Sequence, residues 1–175
     1  MKKTYISDVS GLINPPMDGD VFTTLKIVGE LSGKLRKNVV EARIESGIIK
    51  VVKPNAEFSF LAMDKARATG DLSVLSNADI SLLALALQFS HEGRQPIVLT
   101  DDYALQNILK ILNIPVKPIF GRKIKEVIIW KKVCSICGTK YPQSYKGGRC
   151  RECGGVLTRK AYIKLREKLN EIEGS

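Results

Sequence analysis

Short apolar runs closed by polar residues alternate, along the first two thirds of the chain, with longer segments of helical spacing. Residues 4–7 form a β-prone run that ends on Asp8. Residues 48–52, between Gly47 and Pro54, are a second candidate strand, and residues 97–100 a third that runs into Asp101 and Asp102. A fourth covers residues 116–120, after Pro115. Between them, residues 21–31, 35–46, 56–69 and 103–112 carry apolar positions at helical spacing, the third of these ending at Gly70. Residues 78–89 are nearly all apolar, as in a helix buried against a sheet. Strands alternating with helices predict an α/β fold with a mainly parallel sheet flanked by helices. The expected organisation is a domain over residues 1–120, a linker at 121–126 and a small unit at 127–157 that opens as a strand. A tail helix at 158–175 then follows, with Tyr162, Leu165, Leu169 and Ile172 on one face.

The small unit holds all four cysteines, as Cys134-Ser135-Ile136-Cys137 and Cys150-Arg151-Glu152-Cys153. Two residues inside each pair let both thiolates face one ion, and Gly138 and Gly154 follow where the backbone must turn around the sulfurs. Paired disulfides and redox-active pairs are the competing readings. The first suits an oxidising compartment, and the second rarely comes duplicated. The pattern predicts a structural Zn²⁺ ribbon with every coordination position filled by protein.

Charge sharpens this division. Residues 1–120 carry 14 Lys and Arg against 13 Asp and Glu, whereas residues 121–175 carry 14 against 5. A local excess of that size attracts polyanions. Lys131, Lys132, Lys140, Lys146, Arg149, Arg151, Arg159 and Lys160 surround the cysteines, interleaved with Trp130, Tyr141 and Tyr145. Basic groups can hold an RNA backbone and exposed rings can stack unpaired bases. The same rings are also the natural packing of so small a unit. No stretch approaches the roughly 20 apolar residues of a membrane span. The opening residues reach Asp8 too soon for a secretory apolar segment, so a cytoplasmic protein is expected.

The first 120 residues supply carboxylates at the ends of their predicted elements. Asp8 closes the first strand, Asp101 and Asp102 the third, Asp79 opens the apolar helix and Glu30 lies near the end of the first. In doubly wound sheets ligands bind beyond the carboxyl ends of strands. If the first and third strands are neighbours, these acids form an oxygen-rich site for Mg²⁺ or Mn²⁺. Each also has a structural explanation. Ser76-Asn77-Ala78-Asp79 resembles a capping box, Thr100, Asp101 and Asp102 can cap the next helix, and Glu30 can be a surface acid. Other chemistries are poorly supplied. His91 is the single histidine, the cysteines are committed to metal, and no phosphate-cradling glycine motif is present.

The segments Tyr5-Ile6-Ser7-Asp8-Val9-Ser10, Leu75-Ser76-Asn77-Ala78-Asp79-Ile80 and Val98-Leu99-Thr100-Asp101-Asp102-Tyr103 resemble the motifs of PIN-domain nucleases. Followed by a four-cysteine ribbon and a basic tail, they resemble the Nin-one-binding family in its short archaeal form. That resemblance implies an endoribonuclease that matures the three-prime end of precursor small-subunit rRNA, with the pre-ribosomal small subunit as partner. It implies Asp8, Glu30, Asp79 and Asp102 as the acids, with Asp101 able to share or take the fourth role and Ser10 as the polar residue beside the first. Val9 departs from the Thr or Ser common there, and Glu41 competes with Glu30 for the second position. A non-catalytic RNA-binding assembly factor and a toxin-like PIN ribonuclease are the alternative readings. Oligomeric state is left open.

Overall fold

The run at residues 4–7 becomes β1 (Lys3–Ser7), the middle strand of a five-stranded sheet in a computed structural model that describes residues 2–142 and 145–166. Tyr5, Ile6 and Ser7 are buried, as expected of a central parallel strand covered on both faces. After it come α1 (Val9–Ile13), β2 (Gly19–Thr23), α2 (Leu25–Gly29), α3 (Lys34–Glu45), β3 (Ile49–Val51), α4 (Ala56–Thr69) and α5 (Asn77–His91). The set closes with β4 (Pro96–Leu99), α6 (Tyr103–Ile111) and β5 (Val116–Lys117). The strand order is β3-β2-β1-β4-β5, every pair parallel. Helix α5 buries Ile80 to Ala86 without interruption, which is why its sequence shows almost no polar face. Gly70, in the left-handed region at φ 79°, ends α4 as the expected stop.

Two expectations are corrected here. Residues 21–31 are not one helix: Val21 and Thr23 point into the core from β2, and α2 starts only after Thr24. The apparent helical spacing counted Leu25, which is 72% exposed, so the stripe joined a strand to a helix. The strand expected at 116–120 is also shorter, because residues 119–121 turn out of the sheet.

Met1–Lys123 and Ile124–Ser175 are separate compact units. The second is a three-stranded antiparallel sheet in the order β7-β6-β8, built from β6 (Glu126–Cys134), β7 (Lys140–Tyr141) and β8 (Leu157–Arg166). The helix expected from residue 158 is therefore a strand as far as Arg166. Pairing with β6, from Cys134↔Leu157 to Glu126↔Arg166, overrides the helical spacing, and a register shift at Ile129/Trp130 absorbs one extra residue. Leu169 and Ile172 lie outside the described residues. Among the described residues no helix is long and apolar enough to cross a membrane.

Candidate functional site

The strand order reverses at β1, so the crevice beyond β1 and β4 is where a doubly wound sheet gathers its ligands. The two strands pair with Ser7 opposite Leu99, and the Asp8 N–H donates to the Leu99 carbonyl at 3.1 Å. That bond puts Asp8 beside the segment carrying Asp101 and Asp102. Asp8 then caps α1: its Oδ1 accepts the Ser10 N–H at 2.8 Å and the Ser10 hydroxyl at 2.6 Å. Gly11 lets α1 turn this tightly, since a Cβ there would overlap the Ser7 hydroxyl.

Glu30 and Asp79 reach the same crevice from α2 and α5. Those helices are tied at Thr24 and Ser81, whose hydroxyl oxygens lie 2.6 Å apart. Ser81 donates to the Ala78 carbonyl and Thr24 accepts the Ile27 N–H, so the shared proton comes from Thr24. Glu30 caps the end of α2 through its backbone. Asp79 completes the capping box foreseen from its sequence, its Oδ2 accepting the Ser76 N–H at 2.8 Å. Asp8, Ser10, Glu30 and Asp79 line one open cleft of about 530 Å³, joined there by Arg36 and Phe120.

Capping does not exclude ligation. Asp8 commits only Oδ1 and Asp79 only Oδ2. Among the described residues their second oxygens, and both of Glu30, have no protein partner. These three carboxylates line one cleft and are donors of the kind hard divalent cations take, although among the described residues the four cysteines alone stand close enough together to share one ion.

Asp101 and Asp102 are not among the cleft's lining residues. Asp102 is exposed and caps α6, accepting the Leu105 N–H on Oδ1 at 2.7 Å. Asp101 accepts on Oδ1 the N–H groups of Ile119 at 2.9 Å, Phe120 at 3.2 Å and Gly121 at 2.8 Å. Burial opposes its charge, but these N–H groups and the Ser10 hydroxyl outweigh that and hold its carboxyl below the usual range. Ser10 thus lies between two carboxylates with one proton to give. Glu41 is exposed on α3 and does not line the cleft.

In the second unit the four cysteine Sγ atoms lie within 4.8 Å of one another, with Cys134 to Cys153 at 3.4 Å and Cys137 to Cys150 at 3.5 Å. A tetrahedral ion with bonds of about 2.3 Å spaces its sulfurs at about 3.8 Å, whereas a disulfide needs about 2.0 Å. The geometry therefore fits a metal ion with four protein ligands. Gly138 and Gly154 take φ of 73° and 72°, the turn conformation their positions called for. The Tyr141 hydroxyl, 3.1 Å from Cys150 Sγ, brings that thiol down to about 6. At Cys153 the Gly155 N–H pulls downward, but the neighbouring sulfurs push the thiol up to about 12. Four sulfurs this close cannot all be thiolates without a cation among them.

The basic surface divides. Tyr141 is 8% exposed, stacked 4.6 Å from Tyr145 and bonded to Cys150, so it offers no face to a base. Its expected stacking role is corrected to packing. Arg151 lies over the Tyr145 ring, 4.9 Å from its centroid, and the Tyr145 hydroxyl donates to the Arg149 carbonyl. Lys132 donates to the Tyr145 carbonyl and Arg149 to that of Gly154, so both brace the ribbon. Lys146 is exposed. Lys131 and Lys140 instead flank Tyr162, at 3.8 and 5.0 Å from its ring. Tyr162 is 44% exposed, a ring the helical reading of the tail had hidden.

A parallel five-stranded sheet in this order is PIN-like, and the family model for the PIN domain of ribonuclease matches residues 6–89. Endoribonuclease Nob1 of Methanocaldococcus jannaschii is 36% identical over 170 residues, covering 95% of this chain and 81% of that protein. Endoribonuclease Nob1 of Pyrococcus abyssi is 37% identical over 141 residues, 81% of this chain and 84% of that protein. Ribonuclease VapC1 of Thermoplasma acidophilum is 30% identical over 172 residues, 96% of this chain and 83% of that protein. The chain belongs to the Nob1 family of endoribonucleases.

Proposed function

We propose that this protein is a cytoplasmic, metal-dependent endoribonuclease that cuts precursor small-subunit rRNA at its three-prime end, on the pre-ribosomal small subunit. The observation that carries the reading is the convergence of Asp8, Glu30 and Asp79 on one cleft, each with an uncommitted oxygen. These acids would hold Mg²⁺ or Mn²⁺, which would supply Lewis-acid chemistry for attack of water on the phosphodiester. Asp102 is the fourth acid, with Oδ2 lacking a protein partner among the described residues. Asp101, filled by backbone N–H groups, braces the cleft wall, and Ser10 orients the Asp8 carboxylate. Zn²⁺ occupies the four-cysteine site as a structural ion. Lys131, Lys140, Lys146 and Arg151 attract the RNA backbone, and Tyr162 stacks an unpaired base.

The test is cleavage of an end-labelled precursor spanning the small-subunit rRNA three-prime end, with Mn²⁺ or with EDTA. A single cut by the wild type that needs metal and disappears in Asp8→Asn is expected. The same cut by Asp8→Asn would sink the site assignment. The likeness to Ribonuclease VapC1 across 96% of the chain favours one second reading, a ribonuclease with other RNA substrates, which would cut unrelated RNAs as readily as the precursor.

A further inference from the structure

We propose that Arg36 and Phe120 are the substrate grip of the acidic cleft, seating one unpaired nucleotide with Arg36 on its phosphate and Phe120 against its base. The inference rests on the endoribonuclease reading and adds to it the two residues that seat the substrate at the cut.

Phe120 lines the cleft with three quarters of its surface in water. A lone exposed Phe is ordinary on a protein surface. This one is held out by its own backbone: Asp101 accepts N–H bonds from Ile119, Phe120 and Gly121 in succession. Ile119 packs against the core, so the chain is anchored on one side and displays the next ring on the other. The fit is close at Gly121, where a Cβ would lie 3.1 Å from Asp101 Oδ1. A fixed aromatic face beside the reacting phosphate is what base stacking uses, and it tolerates any base.

Arg36 stands in the first turn of α3 and lines the same cleft as Asp8, Glu30 and Asp79. Among the described residues it forms no ion pair with any of them, although a guanidinium present to neutralise carboxylates would close on one. Its forked N–H groups remain available for a phosphate. Duplex RNA hides its base faces within the stack, so this pair of residues selects unpaired RNA.

Steady-state cleavage of short single-stranded RNAs by the zinc-loaded full chain in Mn²⁺ tests both halves. Phe120→Ala and Phe120→Leu should each raise KM about tenfold with kcat little changed, the loss expected for one stacked base. Phe120→Trp should restore the wild-type KM, and none of the three should shift Tm, because the ring is exposed. Arg36→Gln should flatten the slope of log KM against log salt by about 0.7, one phosphate contact on a single strand, while Arg36→Lys keeps the slope. A metal-dependent wild type with Phe120→Leu inside twofold in KM, or a Phe120→Trp variant that does not recover, overturns the stacking half and leaves the nuclease intact. An unchanged slope in Arg36→Gln overturns the phosphate half. A wild type that cuts no RNA with any ion removes the nuclease reading, and the grip with it.

Discussion

Tyr141→Phe removes the hydroxyl that bonds a sulfur of the cysteine centre. The hydroxyl accepts the Arg151 N–H at 2.8 Å, which leaves its proton for Cys150 Sγ at 3.1 Å. A metal-bound thiolate carries no proton, so Tyr141 must be the donor. Phenylalanine keeps the buried ring and its stacking on Tyr145, so packing is preserved while the hydroxyl's bonds to Cys150 and to the Arg151 N–H are lost. A hydrogen bond to a charged partner contributes about 1.5–3 kcal/mol. At about 1.4 kcal/mol per decade, that is roughly 10- to 150-fold in metal affinity. Losing an outer-shell partner of a metal ligand costs about 10- to 100-fold, an independent figure that overlaps the first. The expected result is a Zn²⁺ affinity reduced by about 30-fold. Competition against a chromogenic chelator at pH 7 measures it directly. An affinity within twofold of wild type would refute the donor assignment. A comparable loss in Tyr145→Phe, whose hydroxyl bonds a carbonyl and no sulfur, would refute it as well.

Asp79 has two duties that separate variants can part. Ser76→Ala removes the cap and should cost about 0.5–2 kcal/mol of stability while leaving metal-dependent cleavage intact. Asp79→Asn should abolish cleavage with a smaller loss of Tm, and calorimetry beside the cleavage assay reads both. Asp101 supplies a pH dependence. Its folded pKa lies below the unfolded value of about 3.9, so its contribution to stability is complete above that value. It is lost as pH falls through the lower folded value. Acid unfolding curves of wild type and Asp101→Asn should therefore differ near neutrality and converge at the lowest pH. Parallel curves throughout would contradict the clamp on residues 119–121.

What could be read from sequence was what depends on nearby residues. The cysteine pairs, their trailing glycines and the capping box at Ser76–Asp79 all act within a few positions, and each formed as expected. Asp8 was legible as the polar end of an apolar strand, and it stands as the N-cap of α1. Pairing across long separations was not legible. The spacing of residues 21–31 concealed β2, whose place depends on β1 and β3, and the tail concealed β8, which exists through β6. Arg36 and Phe120 share no pattern along the chain, being 84 positions apart, and only the fold brings them to one cleft. Tyr141 takes the packing role that stood beside stacking in the sequence reading, with its hydroxyl on Cys150.

The most direct test of the central claim is Mn²⁺ binding to the zinc-loaded protein, followed by calorimetry or electron paramagnetic resonance, in Asp8→Asn, Glu30→Gln, Asp79→Asn and Glu41→Gln. Wild type and Glu41→Gln should bind alike, and each of the other three should lose the ion. Undiminished binding in all three cleft variants, or a loss confined to Glu41→Gln, would contradict the three-acid site.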